Sequence, residues 1–244
     1  MQAVVLAAGM GTRLKNLTNS IPKALVEVER KPLLAYTLSF AQQVKAKQII
    51  VVGGAHYSKV VEYLSGLKLK NLCWVENPIF THGNLFSLGA ARNLICEDFL
   101  LLNTDHIYHW KIAQLLIPQC NGIVAFCDQD RKLGADDMKV LLDNKGYLKA
   151  ISKKLLEYDR GYVGMTYCAQ SMLAQYFESF DRVAEQMGKQ AVVEMVLDDL
   201  VKIGHPPKVG DISGVGWLEI DTPEEHAAAQ QVIQNNPENF LSIS

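Results

Sequence analysis

The chain has 244 residues, of which 49% are hydrophobic and 20% are charged. This length and composition are typical of a folded protein with one large core, and they argue against disorder. The formal net charge is −2 and the lysines are scattered along the chain, so we expect no binding to nucleic acid.

Up to about residue 128, apolar runs of strand length alternate with segments of helical period, which predicts successive βα units. Strands are predicted at residues 3–8, 48–52, 72–76, 99–103 and 122–127. Helices are predicted at residues 34–44, 59–64, 84–92 and 112–117. We therefore predict an α/β fold with three layers, in which helices cover both faces of a doubly wound, mostly parallel sheet.

After residue 128 the regular alternation ends. Segments 139–143 and 147–152 flank Asn144-Lys145-Gly146, which predicts a hairpin. Further strands are predicted at 161–168 and 215–220, and helices at 171–180, 192–202 and 223–233. Because no repeat or linker interrupts the chain, we predict a single domain over residues 1–244, regular in 1–128 and less regular in 129–244.

The cysteine pattern and the lengths of the apolar runs predict the cellular compartment of the protein. Five cysteines are an odd number and form no Cys-x-x-Cys pair, which favours reduced thiols over disulfides or a zinc site. No apolar run approaches the ~18 residues that cross a bilayer, so we expect no membrane insertion. The first predicted strand begins at residue 3, and we therefore expect no signal peptide and a cytoplasmic protein.

A glycine-rich, cationic turn follows the first predicted strand. Gly9 and Gly11 allow the backbone to turn sharply and present bare N–H groups to an anion. Arg13 adds a rigid fork of donors, and Lys23 adds a mobile charge. The turn is not a P-loop, since no Gly-Lys-Ser/Thr ending follows, and Leu14 breaks the dinucleotide pattern. Taken alone, the two glycines also fit an ordinary strand-to-helix turn.

Two aspartates follow predicted strands, at the sheet edge where open α/β folds bind ligands. Asp105 comes after strand 99–103, and its alternative role is to cap a helix or form an Asx-turn. Asp221 follows strand 215–220. Because Thr222 and Glu225 have the spacing of a capping box, Asp221 is not needed as a cap and is free to act as a ligand.

Two segments carry a recognisable pattern, Leu6-Ala7-Ala8-Gly9-x-Gly11-Thr12-Arg13-Leu14 and Pro22-Lys23-Ala24-Leu25. Together they resemble the signature of the sugar-phosphate nucleotidyltransferases. The resemblance implies a Rossmann-like sheet of the GT-A-like type, with a nucleotide-binding part (1–128) and a small acceptor-side lobe (129–244). It implies that Arg13 and Lys23 are catalytic residues that hold the phosphates, and that Asp105 and Asp221 bind Mg²⁺.

The resemblance also implies which residues contact the two substrates. The implied nucleotide-binding residues are Leu6, Ala7, Ala8, Gly9, Gly11, Thr12, Arg13, Lys23, Glu76, Asn84, Ser87 and Asp105. Without the family resemblance, residues 84–92 would be interpreted only as a helix with a cap at its start. Lys153, Lys154 and Glu194 are the implied acceptor-binding residues. Since the family's usual Glu-Lys-Pro motif is absent, either lysine fits.

Segments 83–87, 103–108, 152–155 and 217–224 look most like those of cytidylyltransferases that act on inositol 1-phosphate or phosphocholine. This likeness implies a Mg²⁺-dependent enzyme that transfers CMP from CTP to a phosphorylated alcohol. The products would be pyrophosphate and a CDP-alcohol of the kind used as a cell-envelope precursor. One alternative is a hexose 1-phosphate uridylyl- or thymidylyltransferase, and a more distant one is a nucleotide-binding regulatory module without activity. The acceptor's identity and a homodimeric state are left open.

Overall fold

The structure, a computed structural model, describes residues 1–243. Its strands are β1 (Gln2–Ala7), β2 (Glu27–Val28), β3 (Lys31–Pro32), β4 (Gln48–Gly53), β5 (Leu72–Glu76), β6 (Phe99–Asn103), β7 (His106–Tyr108), β8 (Ile123–Asp128), β9 (Lys139–Leu142), β10 (Leu148–Ser152), β11 (Arg160–Cys168), β12 (Lys208–Asp211) and β13 (Trp217–Glu219). Its helices are α1 (Leu33–Gln43), α2 (Tyr57–Gly66), α3 (Leu85–Ala91), α4 (Lys111–Leu116), α5 (Leu173–Met187), α6 (Glu194–Lys202) and α7 (Pro223–Asn235).

Within the described residues, nine strands form one mixed sheet. β1 lies between β4 and β6 and is parallel to both, and β5 extends this parallel half beyond β4. β11 runs antiparallel to β6 and β8, and the predicted hairpin is formed by β9 and β10. The predicted α/β fold, with its mostly parallel first half, is confirmed. The antiparallel strands belong to the less regular second half.

The sheet is buried on both faces, because the side chains of each central strand alternate between two cores. In β1, Val4 and Leu6 pack with α3, α5 and α6, whereas Ala3, Val5 and Ala7 pack with α1, α2 and α4. None of the five is more than 7% exposed. Burial of a Val or Leu side chain contributes roughly 1.5–3 kcal/mol. β1 is therefore a rigid support for the glycine turn that follows it.

Four short strands, β2, β3, β7 and β12, were not predicted from the sequence. β2 and β3 pair with each other. β7 pairs antiparallel with β13 in a separate two-stranded sheet, and β12 adds a parallel strand to β8. Neither glycine nor proline adjoins β7, whereas Pro206 and Pro207 directly precede β12 and could have marked its start. The pairing of β7 with β13 matters for the site, because Asp105 precedes the first strand and Asp221 follows the second.

The third apolar cluster lies beneath the C-terminal helix α7. Ala229 and Ile233 of α7 pack against Leu14, Ile107 and Ile220. This cluster therefore joins the glycine turn to the β7–β13 pair. No helix in residues 1–243 combines the length and hydropathy that a membrane span requires.

Candidate active site

The glycine turn is shaped by one of its two glycines. Gly11 has a φ of +67°, and a Cβ added there would lie 2.8 Å from the Cβ of Lys23 and 2.9 Å from the Cγ2 of Thr18. The hydroxyl of Thr18 donates a hydrogen bond to the carbonyl of Gly11 at 2.9 Å. Gly9, in contrast, has open space where a Cβ would be. Gly11 is thus required by the packing of the turn against Lys23, whereas Gly9 leaves room for a ligand.

Lys23 connects the two predicted metal ligands. Its Nζ donates a hydrogen bond to Oδ2 of Asp105 at 2.8 Å and another to Oδ1 of Asp221. The residue is only 7% exposed. Burial alone would lower the pKa of Lys23, but the two carboxylates outweigh burial and hold the pKa above its ordinary value. A buried ammonium group therefore lies between two carboxylates at the mouth of the turn.

Arg13 reaches the same place from the glycine turn. Its guanidinium donates a hydrogen bond to Oδ2 of Asp221 at 2.5 Å. The Arg13 side chain is 56% exposed, so its remaining donors are accessible to an incoming anion. The structure thus brings together all four of the residues predicted to bind phosphate or metal.

The position of Asp221 is set by the β7–β13 pair and by the start of α7. The Ile220 amide donates a hydrogen bond to the Asp105 carbonyl at 2.9 Å. The predicted capping box is confirmed, because Thr222 Oγ1 accepts from the Glu225 amide while Glu225 accepts from the Thr222 amide. Glu225 also accepts from the Asp221 amide at 2.8 Å. The Asp221 carboxylate is therefore left to face Lys23.

His106 fixes the second oxygen of Asp105. Its Nδ1 lies 2.6 Å from Oδ1 of Asp105, and its ring stacks on Trp217 with centroids 4.9 Å apart. Burial would raise the pKa of Asp105, but the charges of Lys23 and His106 outweigh it and hold this pKa well below its ordinary value. Asp105 is thus an oriented anion.

Gly164 makes room for His106, and the sequence analysis did not single it out. It lies at a register irregularity of β11 with a φ of +69°. A Cβ there would come within 2.9 Å of the His106 ring and 3.0 Å of Nδ2 of Asn103. A glycine inside a predicted strand is a signal of a bulge or of close approach, and it could have marked this position.

Arg131 is a second residue that the sequence analysis missed. Its guanidinium lies 4.3 Å from the centroid of the Trp217 ring and donates to Asp137 at 2.8 Å and to Glu219 at 3.2 Å. Trp217 is itself held by a hydrogen bond from its indole N–H to Asp128 at 2.6 Å. Arg131 belongs to the irregular segment between β8 and β9, where no local pattern predicts contact with β13.

The residues predicted to contact base and ribose lie at the end of β5 and in α3. Ser87 is buried and accepts a hydrogen bond from the Asn77 side chain at 3.0 Å. Asn84 does not cap α3 with its side chain but accepts from the Val193 amide at 2.9 Å, at the start of α6. Glu76 is exposed at the end of β5. Their contact with a nucleotide stays a prediction.

A cavity of about 450 Å³ lies beside the glycine turn. Its lining residues include Met10, Thr12, Lys15, Ala55, His56 and Phe80. Lys15 and His56 both have positive φ, at 52° and 50°. Such conformations are uncommon for these residue types and cluster at functional sites. The segment 55–56 and Phe80 were not singled out from the sequence.

On the other side of the cleft, the two candidate acceptor-binding lysines, Lys153 and Lys154, differ in the cavities that they line. Lys153 and Glu194 line the cleft that contains Arg13, Asp105 and Asp221, and both also line an adjoining cavity. Lys154 lines only the adjoining cavity. Lys153 is therefore the lysine with direct access to the four convergent residues.

The carboxylates of the cleft are suited to the predicted Mg²⁺ only as a pair. No group of three or more His, Cys, Asp or Glu side chains within residues 1–243 is placed to hold a metal ion. Asp105 and Asp221 nevertheless contact the same nitrogen of Lys23, so one oxygen of each carboxylate reaches a common cation position. Mg²⁺ at phosphate-binding sites commonly takes one or two carboxylates and completes its shell with phosphate oxygens and water. This donor set fits such an ion.

Comparison with known proteins gives one consistent family. The family model for the MobA-like NTP transferase domain matches residues 3–194. The "Bifunctional IPC transferase and DIPP synthase" of Aquifex aeolicus is 29% identical over 236 residues, which are 95% of this chain and 51% of that protein. The "CMP-5'-(3-aminopropyl)phosphonate synthase" of Streptomyces rubellomurinus is 26% identical over an alignment of 258 residues, gaps included, that covers 94% of this chain and 38% of that protein. The chain thus spans about half or less of these two relatives.

A solved structure shares the fold. It is described as the inositol-1-phosphate CTP transferase from T. maritima, and it matches this chain with a TM-score of 0.84 at 20% identity. The match covers 98% of this chain and 97% of that one. The common fold therefore includes the second half of the chain as well as the half that carries the glycine turn.

Proposed function

The chain belongs to the family of MobA-like NTP transferase domains, and from this we propose that it transfers CMP from CTP to a small phosphorylated acceptor and releases pyrophosphate. The observation that carries the proposal is the convergence of Arg13, Lys23, Asp105 and Asp221 in one cleft. Two similar proteins support the choice of CTP. One relative is named as a CMP-phosphonate synthase, and one solved structure is described as a CTP transferase.

In the proposed reaction, a phosphate oxygen of the acceptor attacks the α-phosphorus of CTP. The bond from that phosphorus to the β-phosphate oxygen breaks, and pyrophosphate leaves with its electron pair. The acceptor phosphate is already anionic, so the step needs no general base and no covalent enzyme intermediate. Catalysis then depends on neutralising charge and holding the attacking and leaving oxygens in line.

Arg13 and Lys23 are the residues we assign to the triphosphate. Both are bound to carboxylates in the structure, and both would exchange these partners for phosphate oxygens when the nucleotide binds. That exchange would free oxygens of Asp105 and Asp221 to hold Mg²⁺. The ion would supply further neutralisation of the phosphate oxygens. Lys153, which lines the cleft, would bind the acceptor phosphate.

We assign the nucleobase to the cavity beside the glycine turn. Its volume of about 450 Å³ is within the range of small-ligand pockets. Ala55, His56 and Phe80 would form the wall opposite the turn. This assignment adds residues from the ends of β4 and β5 to those predicted from the sequence.

The test is a screen for pyrophosphate release with CTP, UTP, dTTP, ATP and GTP, each with Mg²⁺ and a panel of phosphorylated alcohols. We expect release with CTP only, and loss of release in Lys23→Met and Asp221→Asn. Lys47→Met serves as the matched control, because Lys47 is exposed and pairs with Glu97 away from the cleft. Preferred use of UTP or dTTP would favour a hexose 1-phosphate uridylyl- or thymidylyltransferase instead. Undiminished release in both variants would contradict the assigned residues.

A further inference from the structure

The cavity that adjoins the cleft has a volume of about 440 Å³. Most of its wall is apolar, with side chains from Met138, Ala150, Ile151, Leu155, Val192 and Met195. Met138, Lys153 and Glu194 border both the cavity and the cleft. A ligand whose phosphate lies in the cleft can therefore extend the rest of its structure into this cavity.

Within residues 1–243, the Glu194 carboxylate forms no ion pair at the junction of the cleft and the cavity, and the positive charges of Lys153 and His106 act on it from farther away. It is the first residue of α6, and its only hydrogen-bond donor within the described part of the chain is its own backbone amide. No Lys, Arg or His side chain among those residues forms an ion pair with it. Burial raises the pKa of Glu194, and this effect outweighs the backbone hydrogen bond and the more distant charges of Lys153 and His106, which favour the anion. A cation that entered the cavity would supply an ion-pair partner.

The charges around the cavity are separated by sign. Lys153 and Lys154 are exposed on the turn after β10, where they can meet a phosphate. Glu194 and Asp198 lie on α6, across the cavity. Asp198 is already paired with Lys202 at 2.6 Å, so Glu194 is the acid that remains available. A complementary ligand is anionic at one end and cationic at the other.

We infer that the acceptor is an alkylammonium phosphate or phosphonate, a short alkyl chain that carries an amino or quaternary ammonium group, and that Glu194 binds this cation. The inference rests on the function proposed above and names its acceptor. The alkyl part packs against Met138, Val192 and Met195. A polyol phosphate would instead bring several hydroxyl groups against an apolar wall, where each unpaired hydroxyl is unfavourable.

The first test measures binding by calorimetry in the presence of Mg²⁺ and α,β-methylene CTP. The probes are phosphocholine, phosphoethanolamine, inositol 1-phosphate and 3,3-dimethylbutyl phosphate, which has the shape of phosphocholine without its charge. We expect the better of the two ammonium compounds to bind at least about tenfold more tightly than the uncharged isostere, because only a cation is attracted by the charge of the Glu194 carboxylate.

The second test uses Glu194→Gln, which keeps the size of the side chain and removes its charge. We expect this variant to lose most of the preference for the ammonium compound over its isostere. Glu185→Gln is the matched control, because Glu185 is exposed on α5 and the substitution changes the net charge equally. Its preference should equal that of the wild type. Thermal unfolding of both variants checks that they are folded.

The outcomes separate this inference from the proposed function. Equal or tighter binding of inositol 1-phosphate or of the isostere would overturn the inference, as would an unchanged preference in folded Glu194→Gln. Pyrophosphate release with inositol 1-phosphate but with no ammonium acceptor would overturn it while leaving the transferase function intact. Absence of release with every acceptor would overturn the proposed function, and the comparison of binding preference between the wild type and Glu194→Gln would still decide whether Glu194 recognises a cation.

Discussion

The Nζ of Lys23 lies 2.8 Å from Oδ2 of Asp105 and contacts Asp221 at the same time. Two carboxylates that approach one point repel each other unless a cation lies between them. In the structure that cation is the ammonium group of Lys23. The stability of the cleft without ligand therefore depends on the lysine that we assign to phosphate binding.

Lys23→Met should destabilise the protein, because it removes the cation between Asp105 and Asp221 and leaves them only His106 and Arg13 as partners. Breaking a buried ion pair in this way costs about 3 kcal/mol. Urea denaturation gives the free energy of unfolding, and added Mg²⁺ should restore part of the loss in the variant. The control Lys47→Met should match the wild type. A Lys23→Met protein as stable as the wild type would show that the lysine does not neutralise the two acids.

Gly164→Ala should lower stability by about 1–3 kcal/mol through backbone strain, with an added cost from contact with His106. Gly146→Ala is the matched control, since Gly146 has a φ of +81° and open space where a Cβ would be. The difference between the two variants in urea denaturation measures the contact with His106. Equal losses in the two variants would mean that the His106 ring moves aside freely.

Thr222→Ala should cost about 1 kcal/mol by removing the capping box at the start of α7. Thr222→Ser keeps the hydroxyl and should retain most of that stability. Because Glu225 also accepts from the Asp221 amide, we expect Thr222→Ala to weaken turnover as well. Urea denaturation and pyrophosphate release measure the two effects. A Ser variant as unstable as the Ala variant would indicate that the methyl group, and not the cap, is responsible.

Thiol reactivity should follow burial. Cys96 is exposed, whereas Cys127 and Cys168 are buried. Burial raises the pKa of the partly buried Cys73 thiol, and it raises the pKa of the Cys120 thiol to about 11. Since the thiolate is the reactive form, Cys120 should stay unreactive at pH 8 and gain reactivity only as the pH approaches 11. Ellman's reagent at pH 8 should label Cys96 rapidly, and Cys96→Ser should abolish that phase. Rapid labelling of more than one thiol in the folded protein would contradict the packing described above.

Local patterns were sufficient for much of the fold. Predicted strands 48–52 and 72–76 correspond to β4 and β5, because an apolar run bounded by Gly or Asn-Pro reads the same in sequence and in structure. The predicted helix 223–233 corresponds to α7 for a similar reason, since its capping box and Pro223 lie within a few residues of each other. The family resemblance drawn from residues 6–14 and 22–25 is confirmed by the family match.

Long-range contacts account for what the sequence analysis missed. β7 is short, and it is a strand because residues 217–219 pair with it. Arg131 stacks on Trp217 from an irregular segment, and no spacing in the sequence relates the two positions. Gly164 accommodates a ring from a different strand. Each of these positions depends on a neighbour that is remote along the chain and becomes evident only when the chain is folded.

The β7–β13 pair has a consequence for the order in which the cleft is completed during synthesis. A nascent chain that ends after α6 already includes the glycine turn, Lys23 and Asp105, but it lacks the strand that delivers Asp221. Under the proposed function, the phosphate site is therefore completed only after residues 217–221 have been synthesised and β13 has paired with β7.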